Sequence, residues 1–196
     1  MRSDGHSEFH VDLEERKLAR RAMDTRGAFE AISSRHAMDL VFRETLPSDI
    51  EGLFSVRART RESPISKEGL ASIGVTAESI ARQMASGRVK GWVCLDSSIL
   101  VGFCNGDAET GEVLVLAVLP DYERRGIGTY LLSRVVEWLR SAGSSTIWLA
   151  ASPDPRMRAH GFYRSLGWRA NGKKQQNGDE ILTLESDKPH CRSISC

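Results

Sequence analysis

The chain has 196 residues, of which 40% are hydrophobic and 27% charged, the balance of a folded protein with a real core and not of a disordered chain or a fibre. Its 27 basic and 26 acidic residues leave a formal net charge of +1. That balance argues against a general nucleic-acid binder, which needs surplus cations to displace counterions, but a small anionic ligand needs only a local site.

Residues 1–37 stand apart from the rest. Asp12 to Ile32 has helical composition, with a weak apolar stripe (Leu13, Leu18, Ala22, Phe29, Ile32) that Gly27 interrupts. It reads as a helical arm or a disordered extension. Arg16, Lys17, Arg20, Arg21 and Arg26 are offset by Asp12, Glu14, Glu15 and Asp24, against the acid-poor pattern of a transit peptide. No apolar block with a cleavage site occurs there, and no run approaches ~18 consecutive apolar residues, so neither secretion nor a membrane span is expected. The folded domain is expected over 38–186, with a flexible tail at 187–196.

A strand is predicted at Leu40–Glu44, then a helix with Pro47 in its first turn and Ile50, Leu53, Phe54 and Val56 on its apolar face. Thr76 can cap a second helix that carries Ile80 and Met84 inward and ends at Gly87. Three strands follow: Trp92–Leu95, Ile99–Cys104 and Glu112–Leu119. The last is dense in Val and Leu, as in a strand buried on both faces, and Pro120 ends it. Ile127, Tyr130, Leu131, Val135, Trp138, Leu139 and Ala142 mark the strongest helix. A strand at Ile147–Ala151, a helix at Arg156–Leu166, and a hairpin of Trp168–Gly172 with Glu180–Leu184 complete the order. The class is α/β, β-α-α-β-β-β-α-β-α-β-β around one sheet. The cysteines, Cys94, Cys104, Cys191 and Cys196, form no C-x-x-C pair and no zinc set; Cys94 and Cys104 read as small buried hydrophobes. A reducing, cytoplasmic setting is expected, without a metal.

The informative stretch is LVLAVLPDYERRGIGTY, Leu114 to Tyr130. A buried strand runs into a basic loop and then a glycine pair that opens an amphipathic helix. Free amides converge at that helix N-terminus, where the dipole is positive. Gly126 and Gly128 present no side chains to an approaching anion, and Arg124 and Arg125 add charge. A dinucleotide fingerprint is disfavoured because Leu131 stands where a third glycine belongs, and no Gly-Lys-Ser/Thr of a P-loop follows.

With RAHGFYRSLGW at 158–168, this stretch resembles the GNAT superfamily of acetyl-CoA-dependent N-acetyltransferases over roughly residues 40–185. Gly126, Ile127 and Gly128 match the end of that family's phosphate motif, Gln/Arg-x-x-Gly-x-Gly/Ala. Glu123 departs from its first position, and Arg156 departs from the asparagine seven residues before the tyrosine of the second motif. The resemblance implies a mixed central sheet of about six or seven strands flanked by helices, with a splay between two central parallel strands, 112–119 and 147–151. The pantetheine arm of acetyl-CoA would enter the splay and pair with Leu116, Ala117 and Val118. The Leu116 amide would face the thioester carbonyl. The amides of Arg124, Arg125, Gly126, Ile127, Gly128 and Thr129 would hold the pyrophosphate.

Tyr163 matches the family position that protonates the departing thiolate; packing on the sheet beside the ligand is its other reading. Glu112 stands four residues before Leu116, an offset expected to put both side chains on one strand face, and the histone-acetylating branch has its general base at this offset. A plain strand-end carboxylate is the other reading, with Glu109, Asp107 or a water chain as further bases. His160 is expected on the surface or beside CoA, and the four tryptophans in the core. Segment 57–90 and the final hairpin are expected to shape the acceptor site, and 57–75 mixes both charges, so it selects neither an acidic nor a basic substrate. The expected activity is direct transfer of an acetyl group from acetyl-CoA to a primary amine of a small molecule or peptide, by a monomer or homodimer without nucleic-acid or membrane partners. The alternative is a non-catalytic CoA-binding or regulatory module on the same fold.

Overall fold

Leu40–Glu44 forms the first strand, β1, in a computed structural model that describes residues 40–62 and 64–184. The extension 1–37 and the tail 187–196 lie outside the described residues, as do Cys191 and Cys196. Asp49 sets the corner after β1. Its carboxylate accepts both guanidinium arms of Arg43 at 2.6 and 2.8 Å and the Leu46 amide at 2.7 Å. The chain then enters helix α1, Ile50–Ala58, whose Ile50, Leu53, Phe54 and Val56 are buried.

Helix α2, Lys67–Ser72, was not legible in the sequence: at six residues it is too short to declare a period, and only Ser66, which caps Gly69, marks its start. Helix α3, Ala77–Ala85, has the expected Thr76 cap, with Ser79 closing the reciprocal bond. Strand β3 (Ile99–Asp107) pairs antiparallel with β2 (Val89–Asp96) on one side and with β4 (Glu112–Val118) on the other. Helix α4 spans Ile127–Ser141, strand β5 Ile147–Ala151, helix α5 Arg158–Ser165, and strands β6 and β7 Arg169–Lys174 and Glu180–Leu184.

The seven strands form one mixed sheet in the order β1-β2-β3-β4-β5-β7-β6. Among the described residues, only β4 and β5 are parallel neighbours. Helix α4 lies on one face of β2, β3 and β4, with Ile127, Leu131, Val135 and Leu139 fully buried. It comes so close that a Cβ on Gly106 would stand 2.7 Å from Val135 Cγ1, so β3 needs a glycine there. Trp92 and Trp168 are core residues as expected, whereas Trp138 and Trp148 are only half-buried.

One irregularity decides the geometry of the cleft. Asn105 pairs with Val115, but the next residue, Gly106, pairs with Val113. Leu114 is therefore an extra residue in β4, a β-bulge, and it is exposed in the middle of a central strand.

Candidate active site

The junction of β4 and β5 is a single bridge, Glu112 opposite Trp148, with the Trp148 amide donating to the Gly111 carbonyl at 3.1 Å. Beyond it no pairing links the two strands. A cleft of about 1030 Å³ opens there, lined on one side by Leu116, Ala117 and Val118 and on the other by Ala150, Ala151 and Tyr163.

At the C-terminal end of β4 the chain makes a 3₁₀ turn, Pro120–Tyr122, and reverses through two left-handed residues, Arg124 (φ 61°) and Gly126 (φ 77°). Gly126 is the N-cap of α4 and offers no side chain as a cap. The first α-helical bond runs from the Tyr130 amide to the Gly126 carbonyl at 3.0 Å. The amides of Ile127, Gly128 and Thr129 thus have no acceptor within the helix and converge on the cleft. A Cβ at Gly126 would meet nothing within 4 Å. The room, the donors and the dipole suit an anionic group. Arg124 lines the cleft, but Arg125 does not: its guanidinium lies over the Tyr122 ring, 5.2 Å from the centroid, and Tyr122 in turn donates to Asp96 at 2.8 Å.

Tyr163 projects from α5 into the same cleft and makes no side-chain hydrogen bond to a described residue. Its ring packs edge-on to Phe162 and Trp168. Burial above all, and then the nearby Cys104 thiol, hold the phenol far above its ordinary range, while the Arg57 guanidinium pulls the other way. The hydroxyl is thus fully protonated at neutral pH.

Glu112 also lines the cleft, but not as the offset predicted. Residues opposed across an antiparallel pair share a sheet face, and Glu112 opposes Asp107 whereas Leu116 opposes Cys104. The bulge at Leu114 breaks the two-residue alternation, so Glu112 falls on the face of Val115 and Ala117, opposite to that of the Leu116 side chain. There it is half-buried without an ion-pair partner among the described residues, and burial followed by the charge of Asp107 raises its pKa. The rival bases are occupied. Asp107 accepts Arg88 at 2.8 and 3.0 Å and the Glu109 amide at 2.8 Å, and Glu109 pairs with Arg88 at 2.6 Å. Neither His160 nor Arg156 lines the cleft; Arg156 is paired with Asp154. Among the described residues no group of His, Cys, Asp and Glu is arranged to hold a metal ion, and no helix is long and apolar enough to cross a membrane.

Sequence reasoning singled out none of four residues that line this cleft: Arg57 beside Tyr163, Arg61 and Glu62 farther along the segment expected to shape the acceptor site, and Arg158. They come from α1, the loop after it, and α5, so no sequence spacing connects them.

The Acetyltransferase (GNAT) family model matches residues 65–168, just over half of the 196. This chain belongs to the GNAT acetyltransferase family. A curated relative, the "uncharacterized N-acetyltransferase ycf52" of Porphyra purpurea, is 33% identical over 75 residues, 37% of this chain and 41% of the relative. The match thus spans less than half of that relative's length. Two solved structures share the GNAT fold. The PaiA N-acetyltransferase from Thermoplasma acidophilum, in complex with coenzyme A, superposes with a TM-score of 0.62 at 20% identity, over 76% of this chain and all of that one. The ribosomal-protein-S18-alanine N-acetyltransferase from Escherichia coli gives 0.55 at 20% identity, over 77% and 97%. The mixed sheet with one parallel central pair is thus the GNAT architecture.

Proposed function

We propose that this GNAT protein is an N-acetyltransferase that moves an acetyl group from acetyl-CoA to a primary amine of a small molecule or peptide, by direct attack with both substrates bound. The observation that carries this reading is the one-bridge junction of β4 and β5, which opens beside an uncapped helix N-terminus with Tyr163 in the same cleft. The unpaired edge of β4 can accept an extended pantetheine arm as an added strand along Leu116, Ala117 and Val118. The amides of Arg124 and of Gly126 to Thr129 would receive the pyrophosphate, and the Arg124 side chain would add charge.

An alkyl ammonium, with an ordinary pKa near ~10.4, cannot attack until it loses a proton. Glu112 accepts it, and the raised pKa moves this base toward the working pH. The amine attacks the thioester carbonyl, and the oxyanion takes the Leu116 N–H, a type of donor worth about 3 kcal/mol. Collapse expels the thiolate, to which the Tyr163 hydroxyl donates, while the nitrogen gives up its second proton and so restores the phenol. Because burial holds the phenolic proton tightly, Tyr163 acts first as a hydrogen-bond donor to the developing sulfur anion, and the Arg57 charge eases full transfer. An acyl-enzyme on either described cysteine is disfavoured: Cys94 and Cys104 lie outside the cleft lining, and burial pushes the Cys94 thiol up to about 11 and Cys104 higher still. A reducing, cytoplasmic setting belongs to the proposal, since both are free thiols.

The test is thiol release from acetyl-CoA over a panel of amines. Turnover that falls about 10²-fold in Tyr163→Phe is expected for loss of a positioned acid. Tight acetyl-CoA binding with no amine ever acetylated would instead assign the fold to a non-catalytic CoA-binding or regulatory module.

A further inference from the structure

Glu123 stands in the turn that leads to the anion cradle, at the position where the family motif has glutamine or arginine. A bare carboxylate there would repel a diphosphate. It is not bare. Its Oε2 accepts from the Arg158 guanidinium and lies 3.4 Å from Arg61 Nε. These arginines arrive from separate elements, Arg158 from the first turn of α5 and Arg61 from the loop after α1. Glu62 fixes both in place by accepting the Arg158 backbone amide with its two oxygens at 2.9 and 3.0 Å, which ties the loop to the helix end.

The Glu123 side chain is 19% exposed, whereas Arg158 and Arg61 are 41% and 59% exposed. The carboxylate is therefore the covered member and the cations keep accessible surface. A guanidinium has five N–H donors, and one carboxylate oxygen cannot use them all. All three residues line the cleft that also holds Arg124, Gly126 and Gly128. With Arg124, three bases face two acids, Glu62 and Glu123, which leaves a net positive charge on this part of the cleft lining.

We propose that Arg61 and Arg158 are phosphate ligands for the acyl donor, and that Glu123 is the positioning residue that holds both guanidinium groups toward the cradle. The assignment rests on the acetyl-CoA reading above, and deepens it by giving the donor's phosphates two cations that the motif does not supply. It makes the protein selective for a phosphate-bearing thioester. It also joins the loop after α1, which continues into the acceptor side of the cleft, to the donor's charged end.

The test compares acetyl-CoA with a thioester that lacks phosphates, acetyl-N-acetylcysteamine, for wild type, Arg61→Gln, Arg158→Gln and Glu123→Gln, with folding checked by circular dichroism. Each arginine variant should weaken calorimetric acetyl-CoA binding about tenfold, as expected for loss of a charge-assisted bond, flatten its salt dependence, and leave KM for the phosphate-free thioester unchanged. Glu123→Gln should weaken acetyl-CoA several-fold, and should add nothing in the Arg61→Gln/Arg158→Gln background. Tighter binding in Glu123→Gln, or arginine variants that bind acetyl-CoA like wild type, would overturn the proposal and leave the acetyltransferase reading intact. Failure of the wild type to bind acetyl-CoA would overturn both. Arg61 is mostly exposed, so its variant keeps the test decisive should Arg158→Gln misfold.

Discussion

Glu112 is held half-buried, beside Asp107 and with no cation paired to it among the described residues, so its ionised form is disfavoured in the fold. A carboxyl whose folded pKa lies above its unfolded value costs stability once pH exceeds the folded pKa, where both states are ionised. Glu112→Gln should therefore raise the melting midpoint slightly at neutral pH, an effect that fades below pH ~4. The same variant should lower kcat about 10²-fold or more and remove an acidic limb of the rate profile that sits above the ordinary glutamate range near ~4.3. A stabilised variant with unchanged kcat would remove Glu112 from the mechanism. The two cradle glycines separate equally cleanly. Gly126 has φ 77°, so Gly126→Val strains the apo fold whatever binds, at a cost of roughly 1–2 kcal/mol. At Gly128 a Cβ would make only ordinary contacts, 3.6 Å to Phe162 and 3.7 Å to Leu116. Gly128→Val should thus keep a near-native melting curve and lose CoA affinity by calorimetry; unchanged affinity would remove the anion from that helix end. Gly126, Gly128 and Tyr163 could be singled out from the sequence, and they line one cleft, because a glycine pair opening a helix and a helix face are local patterns. The Glu123 cluster was not, because positions 61, 123 and 158 meet only through the fold.

At the scale of elements, β4 shows why a strand period can be right about existence and wrong about facing. The apolar run from Val113 to Val118 announced a buried strand and the strand is there, but one inserted residue moved Glu112 to the other face. Composition does not reveal a bulge, since Leu114 suits a regular strand as well as an irregular one. Helix α2 was obscured differently: it is fixed by a cap and an ion pair, which leave no apolar rhythm. The β1–α1 corner carries a prediction of its own. The Arg43 hydrogen bonds, foremost, hold the Asp49 carboxyl below its ordinary pKa, joined by the Leu46 amide. A depressed carboxyl contributes stability above its unfolded pKa and loses it as pH falls through the folded value. Asp49→Asn should cost roughly 1–3 kcal/mol in urea unfolding near neutrality, and the difference from wild type should vanish in acid. A constant difference at every pH would show that the corner depends on shape, not charge.

For the molecule as a whole, the sheet is continuous in order but not in strength. Strands β1 to β4 are laced residue by residue and roofed by α4, and β5, β7 and β6 form a second laced group, with Glu112 opposite Trp148 as their shared bridge. A donor arm lying between them would add the hydrogen bonds this junction omits. Saturation with CoA at about 100 times its Kd should add about 2.7 kcal/mol, roughly 5–10 °C in Tm. A shift absent at that excess would count against binding along the β4 edge.

That lone bridge also sets how the protein breathes. Amide hydrogens in β5 and β7 should exchange as one cooperative block, sooner than those of β2 and β3, with the boundary along the strands instead of across them. A ligand held between β4 and β5 would close that seam, and slower exchange in the block would then report how full the cleft is.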